Sequence, residues 1–404
     1  MTKYLDFIKR KATSDPATGL SVVPALNPML HEHQADMVRW ALHRGRAAIF
    51  ADCGLGKGPM QMEWATKQPH EALIVAPLAV AHQFVREAEK FGVDLDYAKD
   101  QSQITKRITV TNYERLENFH IEQFGAVALD ESSILKNSAG AYSNWMIDAF
   151  KSTPFRLCSS ATPAPNDVME LGTQAEFLGV MTRSEMLAMY FTHDGGDTSK
   201  WRVKGHAQAA FWSWMASWAV MIRKPSDLGY SDEGFTLPPL HMHEQCVSVT
   251  APTSGFLFAV EAQTLQERQQ ARRDSIGDRV KACADIVNAS NEPFLVWCNL
   301  NDESDALKAA IPDAVEVRGS DTDEHKEKAI AGFLDGSIRV LVSKPKIMGL
   351  GLNFQHCADM AYVGLSDSYE QLYQSIRRCW RFGQTRPVNV HVITAETEGA
   401  VVSN

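Results

Sequence analysis

The sequence predicts an α/β protein built on two mainly parallel sheets, each flanked by helices. Three observations carry that prediction. Short apolar runs such as residues 72–76 and 127–129 alternate with helical patterns through the first 180 residues. The same alternation starts again at Phe294 and continues to Ile393. A stretch of different texture, residues 181–250, lies between the two sets. Parallel strands need crossovers long enough to hold a helix, and strand–helix alternation supplies them.

With 404 residues the chain can form two or three ordinary domains. It is 45% hydrophobic and 22% charged, the composition of a soluble globular protein. A net charge of −9 excludes a general basic coat for nucleic acid but leaves room for a local basic groove. The seven cysteines form no CxxC pair, which argues against a zinc site or a disulfide framework and fits a reducing compartment. The N-terminus lacks a charged-then-apolar signal pattern. The most apolar stretch, residues 207–222, is shorter than the about 20 residues that span a bilayer and reads as a buried helix. A cytoplasmic protein with no membrane partner is expected.

Residues 26–42 read as an entry segment and a helix, with Met37, Trp40 and Ala41 at helical spacing. Gln34 lies there, just upstream of a glycine-rich turn. A glutamine is donor and acceptor at once and matches the two-faced edge of adenine; a solvated helix residue is the other reading. Residues 47–50 form a short strand that runs into Asp52-Cys53-Gly54-Leu55-Gly56-Lys57-Gly58-Pro59. A strand, a glycine turn and a helix N-terminus make an anion cradle, because N–H groups point inward and the helix dipole favours negative charge. Lys57 at its rim suits the outer phosphates of a nucleoside triphosphate. Pro59 fits the first helical turn, where its missing N–H costs nothing. Ala51 stands where such turns often begin with glycine, and Gly58 where Ser or Thr normally offers Mg²⁺ a hydroxyl. An ordinary glycine turn is the plain alternative.

Strands follow at residues 72–76, stopped by Pro77, and at 108–113, with a helix over 79–91 between them. The strand at 127–129 enters Asp130-Glu131-Ser132-Ser133, and the one at 156–160 ends in Ser160-Ala161-Thr162. Parallel sheets bind ligands at the carboxyl ends of their strands, so these three motifs can meet on one edge. Asp130 can hold Mg²⁺ through water. Glu131 can orient or deprotonate the attacking water. Taken alone, such an acid pair is also an ordinary solvated turn.

In the middle stretch, Lys200, Trp201, Arg202 and Lys204 form a basic-aromatic cluster, and Trp212, Trp214 and Trp218 precede Arg223 and Lys224. These residues suit a nucleic-acid backbone or stacked bases, or else core tryptophans with snorkelling cations. His241 and His243 alternate with no third ligand candidate nearby. Residues 225–239 read as a connector, and 255–289 as a long helical pattern broken near 275–277.

The second set has strands at 294–298, 314–317, 338–343, 360–365 and 388–393, a helix at 323–334 and another at 369–382. The last helix carries Gln374, Arg377, Arg378 and Arg381 and ends at Gly383-Gln384. Arg378 and Arg381 are three apart and so share a helix face. Two guanidinium forks on one face suit a phosphate; a solvated basic stripe is the alternative. With a phosphate cradle in the other half, an arginine finger is the better fit.

In this order the motifs resemble those of superfamily 2 helicases and translocases, most closely the Swi/Snf-type branch, over residues 26–393. Residues 369–388 look like that branch's motif VI and 349–353 like its motif V. Asp130-Glu131-Ser132-Ser133 looks like its Walker B box, Ser160-Ala161-Thr162 like motif III, and Gln34 like the adenine-reading glutamine. The compact size resembles phage-encoded members.

The resemblance implies two tandem RecA-like lobes, residues 1–180 and 251–404, joined by a helical insertion and connector over 181–250, with ATP and Mg²⁺ in the cleft between the lobes. By it, Gln34, Gly54, Leu55, Gly56, Lys57, Gly58 and Gly351 surround the nucleotide, and Asp130 positions Mg²⁺. Glu131 activates water, and Arg378 and Arg381 reach the γ-phosphate. Ser160, Ala161, Thr162, Gln374 and Gln384 couple hydrolysis to lobe movement, while Asn112, Lys136 and Lys344 track the nucleic-acid backbone. Arg377 stands where relatives usually carry aspartate.

The implied activity is a DNA-stimulated ATPase that translocates on duplex DNA as a monomer, in the bacterial cytoplasm if phage-encoded, with an accessory phage or host protein as a further expected partner. A strand-separating helicase on forked DNA or RNA stays open. So does a nucleotide-gated clamp with weak turnover, motivated by Gly58. Because the chain stops soon after its last strand, no accessory C-terminal module is expected.

Overall fold

Fully apolar strands of four or five residues, such as residues 72–76, can be stable only with both faces covered, and the helices between them provide that cover. The computed structural model describes residues 16–138, 140–194, 197–249, 265–349, 352–365 and 368–398. The chain divides into two units at Asp232/Glu233.

The first unit runs α1 (Glu32–Arg44), β1 (Arg46–Ala51), α2 (Lys57–Thr66), β2 (Ala72–Ala76), α3 (Leu78–Phe91), β3 (Leu95–Tyr97), β4 (Ile108–Asn112), β5 (Ala126–Asp130), α4 (Ala141–Ala149) and β6 (Phe155–Ser159). It continues with α5 (Leu171–Leu178), α6 (Arg183–Tyr190), the hairpin strands β7 (Phe191–Asp194) and β8 (Asp197–Val203), α7 (Gln208–Trp218) and β9 (Ala219–Ile222). Its seven-stranded sheet has the order β3-β4-β2-β5-β6-β1-β9, with every neighbouring pair parallel. Phe50, Leu73, Leu129 and Trp218 lie in its core.

The second unit runs β10 (Leu240–Val247), α8 (Leu265–Asp274), α9 (Ile276–Asn288), β11 (Phe294–Trp297), α10 (Asn301–Ala310), β12 (Ala314–Val317), α11 (Asp323–Asp335), β13 (Val340–Ser343), α12 (Pro345–Met348), β14 (Asp359–Tyr362), α13 (Tyr369–Ile376) and β15 (Val388–Ala395). The six strands are ordered β10-β15-β14-β11-β13-β12, again with parallel pairs throughout. Each unit is thus a parallel sheet flanked by helices.

Three features differ from the sequence expectation. Residues 207–222 are not one helix. The helix stops at Trp218, and residues 219–222 pair with the open edge of β1 (Ala48 opposite Ala219). An unpaired sheet edge offers that segment a hydrogen-bond ladder that outweighs its helical pattern. Second, the stretch 181–250 is divided between the units: β9 completes the first sheet, and β10 pairs with β15 along its whole length in the second. Third, α13 ends at Ile376 rather than 382. Arg378 Nε donates to Gln374 O at 2.7 Å, taking the carbonyl that the next helical turn would use. Residues 378 and 379 then close tighter turns, with Arg378 N on Ser375 O and Cys379 N on Ile376 O.

The break near 275–277 falls between α8 and α9, while residues 255–264 of that pattern lie outside the described residues. The tryptophan group is largely core. Trp218 is fully buried with its ring edge-on to Phe50, whereas Trp212 is 42% exposed. Among the described residues no helix is long and apolar enough to cross a membrane.

Candidate nucleotide and nucleic-acid site

The turn after β1 is set by two glycines. Gly54 (φ 88°) and Gly56 (φ 78°) adopt the left-handed conformation that side chains resist. Asp52 anchors the turn from both sides: its N–H donates to Ile222 O on β9 (3.0 Å), and its carboxylate accepts from Cys53 N (2.6 Å). Lys57 opens α2, and its Nζ donates to Ala51 O at 3.0 Å, with Asp52 O at 3.5 Å. Gln34 is buried rather than solvated. It braces the turn by donating Nε2 to Leu55 O (2.9 Å) while Oε1 accepts from His31 N (3.0 Å). A Cβ on Gly56 would stand 2.3 Å from Gln34 Nε2, so the turn and this amide require glycine there.

The neighbouring strand ends bring the acid pair and the Ser-Ala-Thr motif beside this turn. Asp130 on β5 lies opposite Ser159 on β6, and Ser159 lies opposite Ile49 on β1. Asp130 Oδ1 accepts from Gln61 Nε2 on α2 at 2.6 Å, and Asp130 O accepts from the Tyr113 hydroxyl at 2.6 Å. Glu131 is the one non-glycine residue with positive φ among the described residues (φ 54°, ψ 50°). That conformation is costly for a side chain with a Cβ, and such strain concentrates at functional sites.

Ser160 Oγ donates to Glu131 Oε2 (3.3 Å) and accepts from Thr162 N (3.1 Å), joining the two motifs directly. Ala161 and Thr162 are half-buried. A second bridge was not apparent in the sequence. Gln174 on α5 accepts from the Ser132 hydroxyl (2.7 Å) and donates Nε2 to Pro163 O (2.6 Å). Burial pushes the Tyr113 phenol and the Cys158 thiol well above their ordinary ranges, so both stay neutral in this wall. Gln174→Ala is expected to cost roughly 1–3 kcal/mol of stability by leaving buried polar groups unpaired. Chemical denaturation of the full chain checks it; an unchanged midpoint would refute the bridge.

These residues fit a nucleoside triphosphate with Mg²⁺. The ten-residue α2 directs its first N–H groups into the glycine turn beside Lys57. Asp130 is a carboxylate at the same edge, and beside it Gln61 Oε1 is buried with no protein hydrogen-bond partner. An orphaned carbonyl oxygen there can accept from a metal-bound water.

In the second unit, Arg378 and Arg381 do not share a helix face, because α13 has ended, yet they converge. Their Nη1 atoms donate to the same Leu352 carbonyl, at 3.2 and 2.9 Å. Arg377, outside the usual pattern, lies over the rings of Tyr373 (5.8 Å) and Trp380 (5.1 Å). Gln374 is buried, with Nε2 3.4 Å from Glu370 Oε1. Gln384 pins the following turn, donating to Cys357 O (2.9 Å) and accepting from Thr385 N and Arg386 N (3.0 Å each). Gly351 lies outside the described residues.

A cavity of about 300 Å³ opens near the ends of β11 to β13, lined by Asn301, Ser304, Arg318, Ser320, Lys344 and Ile347, among others. Lys344 Nζ donates there to Asn301 Oδ1 (2.8 Å). The other two residues expected to track a backbone are placed differently. Lys136 is half-buried. Asn112 is only 3% exposed, with its amide shared between the Tyr97 hydroxyl (3.0 Å) and Glu114 (2.6 Å).

Residues 278–383 match the helicase conserved C-terminal domain. The chain is 23% identical to the mouse (Mus musculus) DNA annealing helicase and endonuclease ZRANB3 over 95% of its own length and 40% of that protein's. Over 26% of its length it is 32% identical to the TATA-binding protein-associated factor mot1 of Schizosaccharomyces pombe, covering 6% of that protein. The chain therefore spans less than half of either curated relative. Among solved structures it is similar to the Sulfolobus solfataricus SWI2/SNF2 ATPase core in complex with dsDNA, with a TM-score of 0.44 and 16% identity, covering 92% of this chain and 88% of that one. Residues 278–383 thus carry the likeness to the helicase conserved C-terminal domain, and the likeness to ZRANB3 runs along nearly the whole chain.

Proposed function

We propose that the chain is a nucleic-acid-stimulated ATPase that uses ATP and Mg²⁺ to move along duplex DNA. The observation that supports this most directly is the Ser160 hydroxyl. It joins the strained Glu131 to the Ser-Ala-Thr turn, on strand ends next to the Lys57 cradle. Lys57 and the first N–H groups of α2 bind the outer phosphates, with Gln34 fixing the turn that presents them. Asp130, steadied by Gln61, holds the metal side of the nucleotide. Bound Mg²⁺ would offset charge on the phosphate oxygens. Glu131 takes a proton from the attacking water.

Ser160 then senses the state of Glu131 and passes it to Thr162. Lys344 and the cavity around it offer backbone-directed donors, which bind nucleic acid without reading sequence. The relatives named for DNA chemistry and for a dsDNA complex make DNA the expected track.

Steady-state ATP turnover should be measured with no nucleic acid, duplex DNA, single-stranded DNA and RNA. The expected result is strongest stimulation by duplex DNA, together with ATP-driven triplex displacement. Preference for forked substrates with strand release would instead identify a helicase. Nucleotide binding with no stimulated turnover would favour a nucleotide-gated clamp, the second reading that the missing hydroxyl at Gly58 motivates.

A further inference from the structure

Gly58 takes from the site the hydroxyl that normally reaches Mg²⁺, and the structure places a different oxygen beside it. A Cβ built on Gly58 would stand 2.9 Å from Oε2 of Glu87 on α3, with Phe84 Cε1 at 3.8 Å forming the other wall. The Glu87 carboxylate therefore borders the point where a serine or threonine side chain would begin, close enough that it would have to shift. Its orientation is held: Gln83 Nε2 donates to Glu87 Oε1 at 2.6 Å, which turns the second oxygen toward Gly58.

A second observation points independently to a metal. Gln61 lies three residues beyond Gly58, on the same side of α2. It grips Asp130 Oδ1 at 2.6 Å, and its own Oε1 is buried without a hydrogen-bond partner in a side chain only 1% exposed. Carboxylate and amide oxygens are the donors that Mg²⁺ and its waters take.

We propose that Glu87 is a metal-binding residue that replaces the absent hydroxyl at position 58, so that Gly58 and Glu87 form a compensating pair. The inference rests on the ATP reading above and deepens it. It predicts that the departure at Gly58 leaves metal-dependent nucleotide binding intact.

The test measures Mn²⁺ binding by electron paramagnetic resonance in the presence of a non-hydrolysable ATP analogue, and analogue affinity with and without metal, on the full chain. Glu87→Gln keeps the shape of the side chain and a partner for Gln83. It is expected to weaken Mn²⁺ binding by roughly 10–100-fold while leaving metal-free analogue affinity unchanged. Combining Glu87→Ala with Gly58→Ser is expected to restore metal binding, because the serine then has both the space and the hydroxyl. Wild-type Mn²⁺ affinity in Glu87→Gln would overturn the proposal, as would a loss that is equal with and without metal. A wild-type chain that binds no analogue under any condition would overturn the ATP reading instead.

Discussion

Glu131→Gln is expected to lower DNA-stimulated ATP turnover by roughly 10²–10⁴-fold, the range for loss of a positioned general base, with nucleotide affinity retained. The substitution is nearly isosteric. The glutamine carbonyl can still accept from the Ser160 hydroxyl, 3.3 Å from the carboxylate in the native site. What it cannot do is take a proton. The backbone also argues for a chemical role. Glu131 is buried and held at φ 54°, a conformation that glycine or asparagine would adopt more easily. Paired measurements of turnover and analogue binding on the same preparation check the prediction. Turnover within tenfold of wild type would remove Glu131 from the chemistry and leave it as part of the Ser160 link.

The largest expected effect on stability lies in the second unit. Arg279 on α9 is wholly buried, with Nη1 2.7 Å from Glu303 Oε1 on α10 and Nε 3.2 Å from Glu398 Oε1, and it also donates to Val363 O. Glu398 in turn accepts from Arg272 Nε at 3.3 Å, and Glu303 caps α10 by accepting from Asn299 N and Leu300 N. This network ties α8, α9, α10 and the segment after β15 together. Arg279→Ala leaves the buried Glu303 carboxylate without its cation, while Glu398 keeps Arg272, a change that costs about 3–5 kcal/mol. Hydrogen exchange on the full chain should show faster opening at β11 and β15, with β1 and β5 unaffected. Unchanged protection at β11 would mean that packing rather than charge holds these elements. Replacing both Arg279 and Glu303 by apolar residues of similar size should cost less than either single change, because no buried charge is then abandoned.

Much of the layout was readable from the chain because it depends on local pattern. Apolar runs of strand length, helical spacing between them and glycine or proline at the joints are short-range properties. They located the turn at Gly54 and Gly56, the acid pair after β5 and the Ser-Ala-Thr turn after β6. The rule that parallel strands present their carboxyl ends on one edge then brought the three together before any coordinate did.

What the pattern could not supply depends on partners far along the chain. Gln61 and Asp130 are 69 residues apart, Ser132 and Gln174 are 42 apart, and neither glutamine stands out in its own helix. Residues 219–222 have an apolar helical pattern, yet the open edge of β1 makes them a strand. The arginines at 378 and 381 looked like one helix face. The Arg378 side chain itself ends that helix by taking Gln374 O, and the convergence on Leu352 O comes from the turn that follows. The two parallel sheets and the strand ends that carry chemistry were thus legible in the chain, because strand and helix periodicity act over a few residues. The side chain beside Gly58, the amides that hold the acid pair and the end of the last helix came from the packed fold. Those outcomes turn on hydrogen bonds and steric room between elements distant in sequence.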